Sequence, residues 1–293
     1  MLINLALLLL ALPARAQEKA PYAFGKVTPE DFKPAYAIDS GAAAVVVAES
    51  GKWQYDGTTG DLELTAQFYR RVHILKKPGY DAADFTIYLN TADEVHPDVL
   101  HHLKAATYNL EDGKVVATKL DSRSVYTNKE NKEDHYIRFT MPAVKEGSII
   151  EVSYDCDYYS LLSPAAWNFQ GIYPTLWSQF IISVPSWSTF AVLPGGFYKP
   201  DYQKRSHNET MLWKAAPESG AGYGAQERRG SVSTTVTDHI YTTHNLPGMQ
   251  EESYMTSFRN YATGIAFQLS SVNYTGNPKD EKTVIPTWPE LQV

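Results

Sequence analysis

The stretch FTMPAVKEGSIIEVSYDCDYY, Phe139 to Tyr159, decides the fold class. Pro142 and Gly147 mark a turn between two strand-like runs. Beyond the turn, Ile150, Val152, Tyr154 and Cys156 alternate with Glu151, Ser153, Asp155 and Asp157. This is the two-residue period of a strand with one dry and one wet face. The reading is an antiparallel hairpin, half buried, with Cys156 turned toward the core.

The pattern continues in both directions. AAVVVAE, from Ala43 to Glu49, is nearly unbroken apolar sequence and suits a strand covered on both faces. From Glu63 to Leu75 a long strand carries Leu64, Ala66, Phe68, Val72 and Ile74 on one face, interrupted by Arg70. Phe85 to Leu89 is another strand, and Asp112-Gly113 supplies turn residues that tolerate positive φ inside a hairpin from Ala105 to Leu120. Later strands are expected at Leu176 to Val184, Met211 to Lys214, Val236 to Thr243 and Gly264 to Val272. Glu130 to Glu133 reads as a solvated loop and Glu218 to Gly230, rich in glycine, as a mobile one. No stretch sustains a helical period for long. The expected fold is all-β, a large antiparallel sandwich in two packed layers, as one unit or two stacked subdomains.

Composition agrees. The chain has 293 residues with 20 Tyr, 11 Phe and 6 Trp, which favours strands over helices. Its formal charge is −7, and loss of Arg15 with an N-terminal signal would make it −8. No nucleic-acid partner is then expected, because such binding rests on clustered cations. The densest basic run, Arg70 to Lys77, reads as a strand edge guarded by charge, with Arg70 and Arg71 on opposite faces.

The ends carry their own signals. MLINLALLLLALPARAQ has an apolar run from Leu2 to Leu12 and small residues before a cleavage point at Gln17, the pattern of a secretory signal helix. It is too short to span a bilayer, and no later segment approaches that length, so no transmembrane span is expected after its removal. The expected location is outside the cytoplasm, in the periplasm or at the cell surface. At the other end, Thr287-Trp288-Pro289-Glu290 has the form of a capping box that starts a helix. One turn of helix does not persist alone, which points to a further C-terminal domain. These marks divide the chain into a signal peptide over 1–16, a linker over 17–38, a β module over 39–272 with a sub-boundary near 161–164, and a second linker over 273–293.

Residues able to do chemistry are few. Cys156 is the single cysteine, so no intramolecular disulfide can form, and an inward thiol without a basic neighbour is inert. Asp155 and Asp157 share one strand face about 7 Å apart. Carboxylates in a row on a wet face lack the opposed geometry of a glycosidase pair. His96, His101 and His102, and His239 and His244, match no metal-ligand spacing, and no nucleophile elbow, phosphate loop or dinucleotide fingerprint occurs, so neither metal nor cofactor is expected. Trp167, Tyr173 and Trp177, with Phe169 between them, are the weak candidates for ligand binding, either as a stacking platform or as core. Glu251 and Glu252 are read as docking charges or solvated residues.

Four stretches, AATYNLEDGKVV, FTMPAVKEGSIIEVSY, WNFQGIYPTLWSQFIISVPSW and THNLPGMQEESYM, resemble in order and spacing the envelope domain called domain-of-unknown-function family 3857. The resemblance covers about Asp39 to Val272. It implies an exported β-sandwich of unknown biochemical role that precedes a transglutaminase-like domain in Bacteroidetes-type bacteria. The Cys, His and Asp of that following domain have no counterpart here, so the resemblance implies a non-catalytic accessory module with the transglutaminase-like domain as its partner. The alternative is a glycan- or peptide-binding module that uses exposed aromatics on an envelope ligand, and a hydrolase is a more distant one.

Overall fold

The computed structural model describes residues 21–56, 63–91, 97–129, 134–158, 166–215, 228–250, 257, 260–273 and 282–283. The signal segment, the boundary near 161–164, the Glu130 to Glu133 loop, Glu251, Glu252 and the Thr287 capping box lie outside these residues, as does the Glu218 loop up to residue 227.

The chain is mainly β. Its strands are β1 (Ala44–Asp56), β2 (Glu63–Ile74), β3 (Asp84–Asn90), β4 (Val99–Glu111), β5 (Lys114–Lys119), β6 (Tyr126–Lys129), β7 (Asp134–Thr140), β8 (Ile149–Tyr158), β9 (Trp167–Asn168), β10 (Thr175–Pro185), β11 (Ser188–Gly195), β12 (Asp201–Ala215), β13 (Arg228–Leu246), β14 (Gly264–Val272) and β15 (Lys282–Thr283). Eight of them form one sheet in the order β12-β13-β10-β1-β2-β8-β4-β5. β11, β14, β15 and β9 form a second sheet, and β3, β7 and β6 a third.

The expectation of a purely antiparallel sandwich needs correcting at one place. β1 and β10 run parallel at the middle of the large sheet, with Val46 beside Thr175 and Trp53 beside Ile182. Strands before residue 159 build one side of β1, and strands after residue 166 build the other. A single sheet therefore runs through both parts of the chain. Two stacked sandwiches are not what forms.

Two layers do form. One face of the large sheet carries Leu64, Ala66 and Phe68 at one end and Val72 and Ile74 at the other. The four-stranded sheet covers the first end with Ile265, Phe267 and Leu269, and the three-stranded sheet covers the second with Ile87, Leu89 and Phe139.

The hairpin read from Phe139 to Tyr159 is not a hairpin. β7 pairs with β3 and β6, whereas β8 pairs with β2 and β4. The intervening turn carries the chain from the covering layer into the large sheet. Its backbone is held on both sides, by Met141 N–H to Ala83 C=O at 2.9 Å and by Gly147 N–H to Ile74 C=O at 2.8 Å. Gly147 has φ +83°, and Ala143 also adopts positive φ. The inward half of the β8 alternation holds, because Ile150, Val152 and Cys156 face Phe139 and Met141 across the same core. Strand alternation fixes which side chains turn inward and leaves open whether the next strand pairs or stacks. The Asp112-Gly113 hairpin forms as expected, with both residues at positive φ and Glu111 opposite Lys114.

The opposite face of the large sheet is not simply wet. Glu151 is fully buried and Arg71 is 1% exposed. Arg71 donates to Glu151 Oε1 from Nε at 2.9 Å and from a terminal nitrogen at 2.7 Å. The stretch expected to be a linker covers them from Tyr22 onward. Gly25 N–H donates to Glu151 Oε2 at 2.7 Å, Arg71 donates to Lys26 C=O at 2.9 Å, and the Tyr22 ring lies 4.5 Å from the Arg71 guanidinium. A single 3-10 turn at Pro29–Asp31 follows Thr28, whose N–H is accepted by Asp31 at 2.8 Å. Phe24, Val27 and Phe32 pack on Ala106, Tyr108 and Ile149, while Tyr36 and Ile38 pack on Val45 and Val47. Val45 and Val47 are thereby buried, which explains the unbroken apolar run of β1.

β2 is a central strand, not the charge-guarded edge expected of it. Its adjacent arginines reach carboxylates on opposite faces, Arg70 with Glu49 and Arg71 with Glu151.

Beneath the N-terminal strap, His73 is 1% exposed and its Nδ1 lies 2.9 Å from the Tyr36 hydroxyl. Burial pushes its pKa down from 6.5 to about 4. Between those values the unfolded chain binds a proton that the folded chain refuses, so stability rises with pH. Stability should therefore fall as pH drops from 6.5 toward 4, by up to about 3 kcal/mol from this one group. Urea unfolding at pH 7.5 and pH 5 checks this. The loss between the two pH values should shrink in His73→Gln, whatever that variant's stability at pH 7.5.

Candidate functional site

The candidate site grows from one residue that breaks the apolar face of β2. Leu64, Ala66, Phe68, Val72 and Ile74 belong to the two cores, and Arg70 stands between them on the same face. Its partner arrives through a β-bulge. Val46 lies opposite Val72, but Ala48 lies opposite Arg71 and Glu49 opposite Arg70, so Val47 is an extra residue in β1. Without it Glu49 would share the face of Val45 and Val47. With it the carboxylate comes to 3.6 Å from Arg70 Nε. The Glu49 side chain is 13% exposed and that of Arg70 is 32% exposed. Burial pushes the Glu49 carboxyl pKa up, and the Arg70 charge opposes that rise.

Aromatic rings wall the space beside this pair. Phe68 stacks on Tyr154 at 4.8 Å, and Trp53 stacks on Tyr158 at 4.5 Å. Trp167, from β9, lies 6.0 Å from Phe68, stacks on Phe180 at 5.3 Å and donates its indole N–H to Ser178 Oγ at 3.1 Å. The large sheet admits that indole because position 51 is glycine. A Cβ there would come within 2.3 Å of the Trp167 ring.

The segment after β9 closes the far side. Phe169 N–H donates to Thr263 C=O at 2.9 Å, Gln170 Nε2 to Pro247 C=O at 2.9 Å, and Thr263 N–H to Gln170 Oε1 at 3.2 Å. These bonds fix Gln170 and Gly171 opposite β1 and β2. The result is a cavity of about 440 Å³ lined by Glu49, Arg70, Phe68, Tyr154, Trp167 and Gln170 among others. That volume lies in the range of small-molecule sites, and its mix of rings with a few convergent polar groups matches their usual lining.

The three residues proposed from sequence are placed differently from one another. Trp167 is 8% exposed and presents part of its ring to the cavity. Trp177 is 4% exposed. Tyr173 is partly open, but its hydroxyl is tied to Asp81 and, at 3.4 Å, to Pro78 C=O. They form no common open platform. Sequence reasoning missed Glu49 and Arg70, although an arginine in an otherwise apolar alternation was a visible signal.

Cys156 is buried, as expected, and burial pushes its thiol up to about 12, with a hydrogen bond from Tyr158 opposing. Asp155 and Asp157 do share the outward face of β8. The β4–β8 register brings His102 Nδ1 to 2.8 Å from Asp155 and His101 Nε2 to 2.8 Å from Asp157, each an exposed pair. Among the described residues no three His, Cys, Asp or Glu side chains converge as a metal site.

No protein-family model matches the chain, and no curated protein matches it. Among solved structures, it is similar to a candidate protease from Parabacteroides distasonis ATCC 8503, with a TM-score of 0.55 and 13% sequence identity. The match covers 78% of this chain and 41% of that one, so this chain spans about two fifths of that protein's length. The likeness is one of fold.

The close approach at position 51 can be tested. Gly51→Ala should lower stability by about 1–3 kcal/mol, because the large sheet or the Trp167 ring must shift. Gly171→Ala, on the same cavity wall, meets nothing within 4 Å and should change stability by a few tenths of that at most. Denaturant midpoints and tryptophan emission of the two variants check the contrast.

Proposed function

We propose that this chain is an exported, non-catalytic β module of the kind called domain-of-unknown-function family 3857, working beside a transglutaminase- or peptidase-like catalytic domain in a bacterial envelope. The observation that carries this reading is the fold match to a part, 41%, of a longer candidate protease. The rest of such a protein is available for catalysis. The four sequence stretches from Ala105 to Met255 support the same relation.

The chemistry of the described residues is consistent with a supporting role. The one thiol is buried and held protonated, and the two strand-face aspartates are engaged by histidines on an exposed surface. The aromatic-platform alternative is weakened by the burial of Trp167 and Trp177.

Two measurements test the proposal. The purified chain, incubated with casein, fluorogenic peptides and glycans, should show no turnover; turnover that disappears in Asp155→Ala or Cys156→Ala would overturn the non-catalytic reading. The coding sequence that follows, in frame or in the adjacent gene, should encode a Cys near a helix start with His and Asp on later strands. Finding no such domain there would overturn the accessory reading.

A further inference from the structure

Two adjacent arginines of β2 end in opposite circumstances. Arg71 donates to Glu151 and Lys26 from Nε and one terminal nitrogen. The Nε of Arg70 is fully covered and, among the described residues, makes no hydrogen bond. Its nearest carboxylate, Glu49, stands at 3.6 Å, beyond hydrogen-bond reach. A buried donor left unmade costs free energy that a folded chain rarely carries without a use. The rest of the Arg70 side chain, which is 32% exposed, lines the cavity of about 440 Å³ whose other walls include Phe68, Tyr154 and Trp167.

We propose that this cavity binds a small carboxylate with a flat apolar body, its carboxylate on the Arg70 guanidinium and its body against Phe68, Tyr154 and Trp167. The fork of an arginine matches the two oxygens of a carboxylate, and the bond is charge-assisted. The aromatic faces receive a planar ring in the geometry they already adopt with one another. Glu49, 3.6 Å from Arg70, competes with an incoming anion for the guanidinium, and burial, which pushes its carboxyl pKa up, weakens that competition. The proposal is independent of the accessory reading and holds for the chain alone. A free aromatic acid and a peptide ending in an aromatic residue carry the same recognisable chemistry.

The probes are hydrocinnamate, its uncharged amide, and the tripeptide Ala-Ala-Phe with a free or an amidated C-terminus, titrated by calorimetry and by emission of the cavity tryptophans. Hydrocinnamate or the free-acid tripeptide should bind saturably, and the matching amide at least about tenfold more weakly. Tighter binding of the tripeptide would identify a peptide C-terminus as the source, and binding of hydrocinnamate alone a free acid; both support the carboxylate site. Arg70→Gln should weaken binding at least about tenfold while keeping a cooperative melt. If that variant does not fold, Arg70→Lys keeps the charge without the fork and should also weaken binding. No saturable binding of either acid at millimolar concentration, equal affinity for acid and amide, or unchanged affinity in a folded Arg70 variant would overturn the proposal.

Discussion

Arg71 and Glu151 are buried together at the centre of the large sheet, and much of the chain's arrangement follows from what that pair requires. Removing two charges from water costs several kcal/mol per ion, and the cost is recovered only where every donor and acceptor is met. β2 and β8 supply the two charges from neighbouring strands. β2 adds the Tyr69 hydroxyl, 2.7 Å from Glu151. Gly25 N–H, Lys26 C=O and the Tyr22 ring come from the N-terminal segment. The N-terminal strap is thus a structural part of the sheet, and its apolar residues close the face over Tyr108, Ile149, Val45 and Val47.

With that face closed, the other is free to divide its cover. Two small sheets share it, one over each core, and Arg70 lies between them. A single extra residue in β1 decides which carboxylate it meets. The bulge at Val47 turns Glu49 onto the Arg70 face, and the glycine two residues later lets Trp167 lie against the large sheet. The cavity is therefore a product of register as much as of residue type, which is why the ion pair in it is looser than the one on the opposite face.

Much of this was legible in the sequence, and the misses have physical causes. Strand positions and inward faces followed from alternation, because a period of two survives whatever a strand pairs with. Partners did not follow. β7 and β8 are consecutive and complementary, yet they stack across a core instead of pairing, and the parallel contact of β1 with β10 joins neighbours that have four other strands of the same sheet between them in chain order. Glu151 looked wet because nothing in β8 reveals that residues far upstream cover it. Thr28-Pro29 ahead of Asp31 was a small sign of order there. Of the candidate site, Trp167 was visible as an aromatic and Arg70 as an interruption, whereas Glu49 depended on a bulge that periodicity alone does not announce.

The dependence of the strap on the buried pair can be measured directly by native-state hydrogen exchange in Glu151→Gln. That change removes the charge accepting Gly25 N–H while leaving the side chain's shape. The amides of Gly25 and Lys26 and of the turn at Pro29–Asp31 should lose protection by at least about tenfold more than those of β2, because the strap lifts before the sheet opens. If the strap amides keep their protection relative to β2, the Arg71–Glu151 pair does not hold the strap in place, and the buried charge is not the constraint on which this arrangement rests.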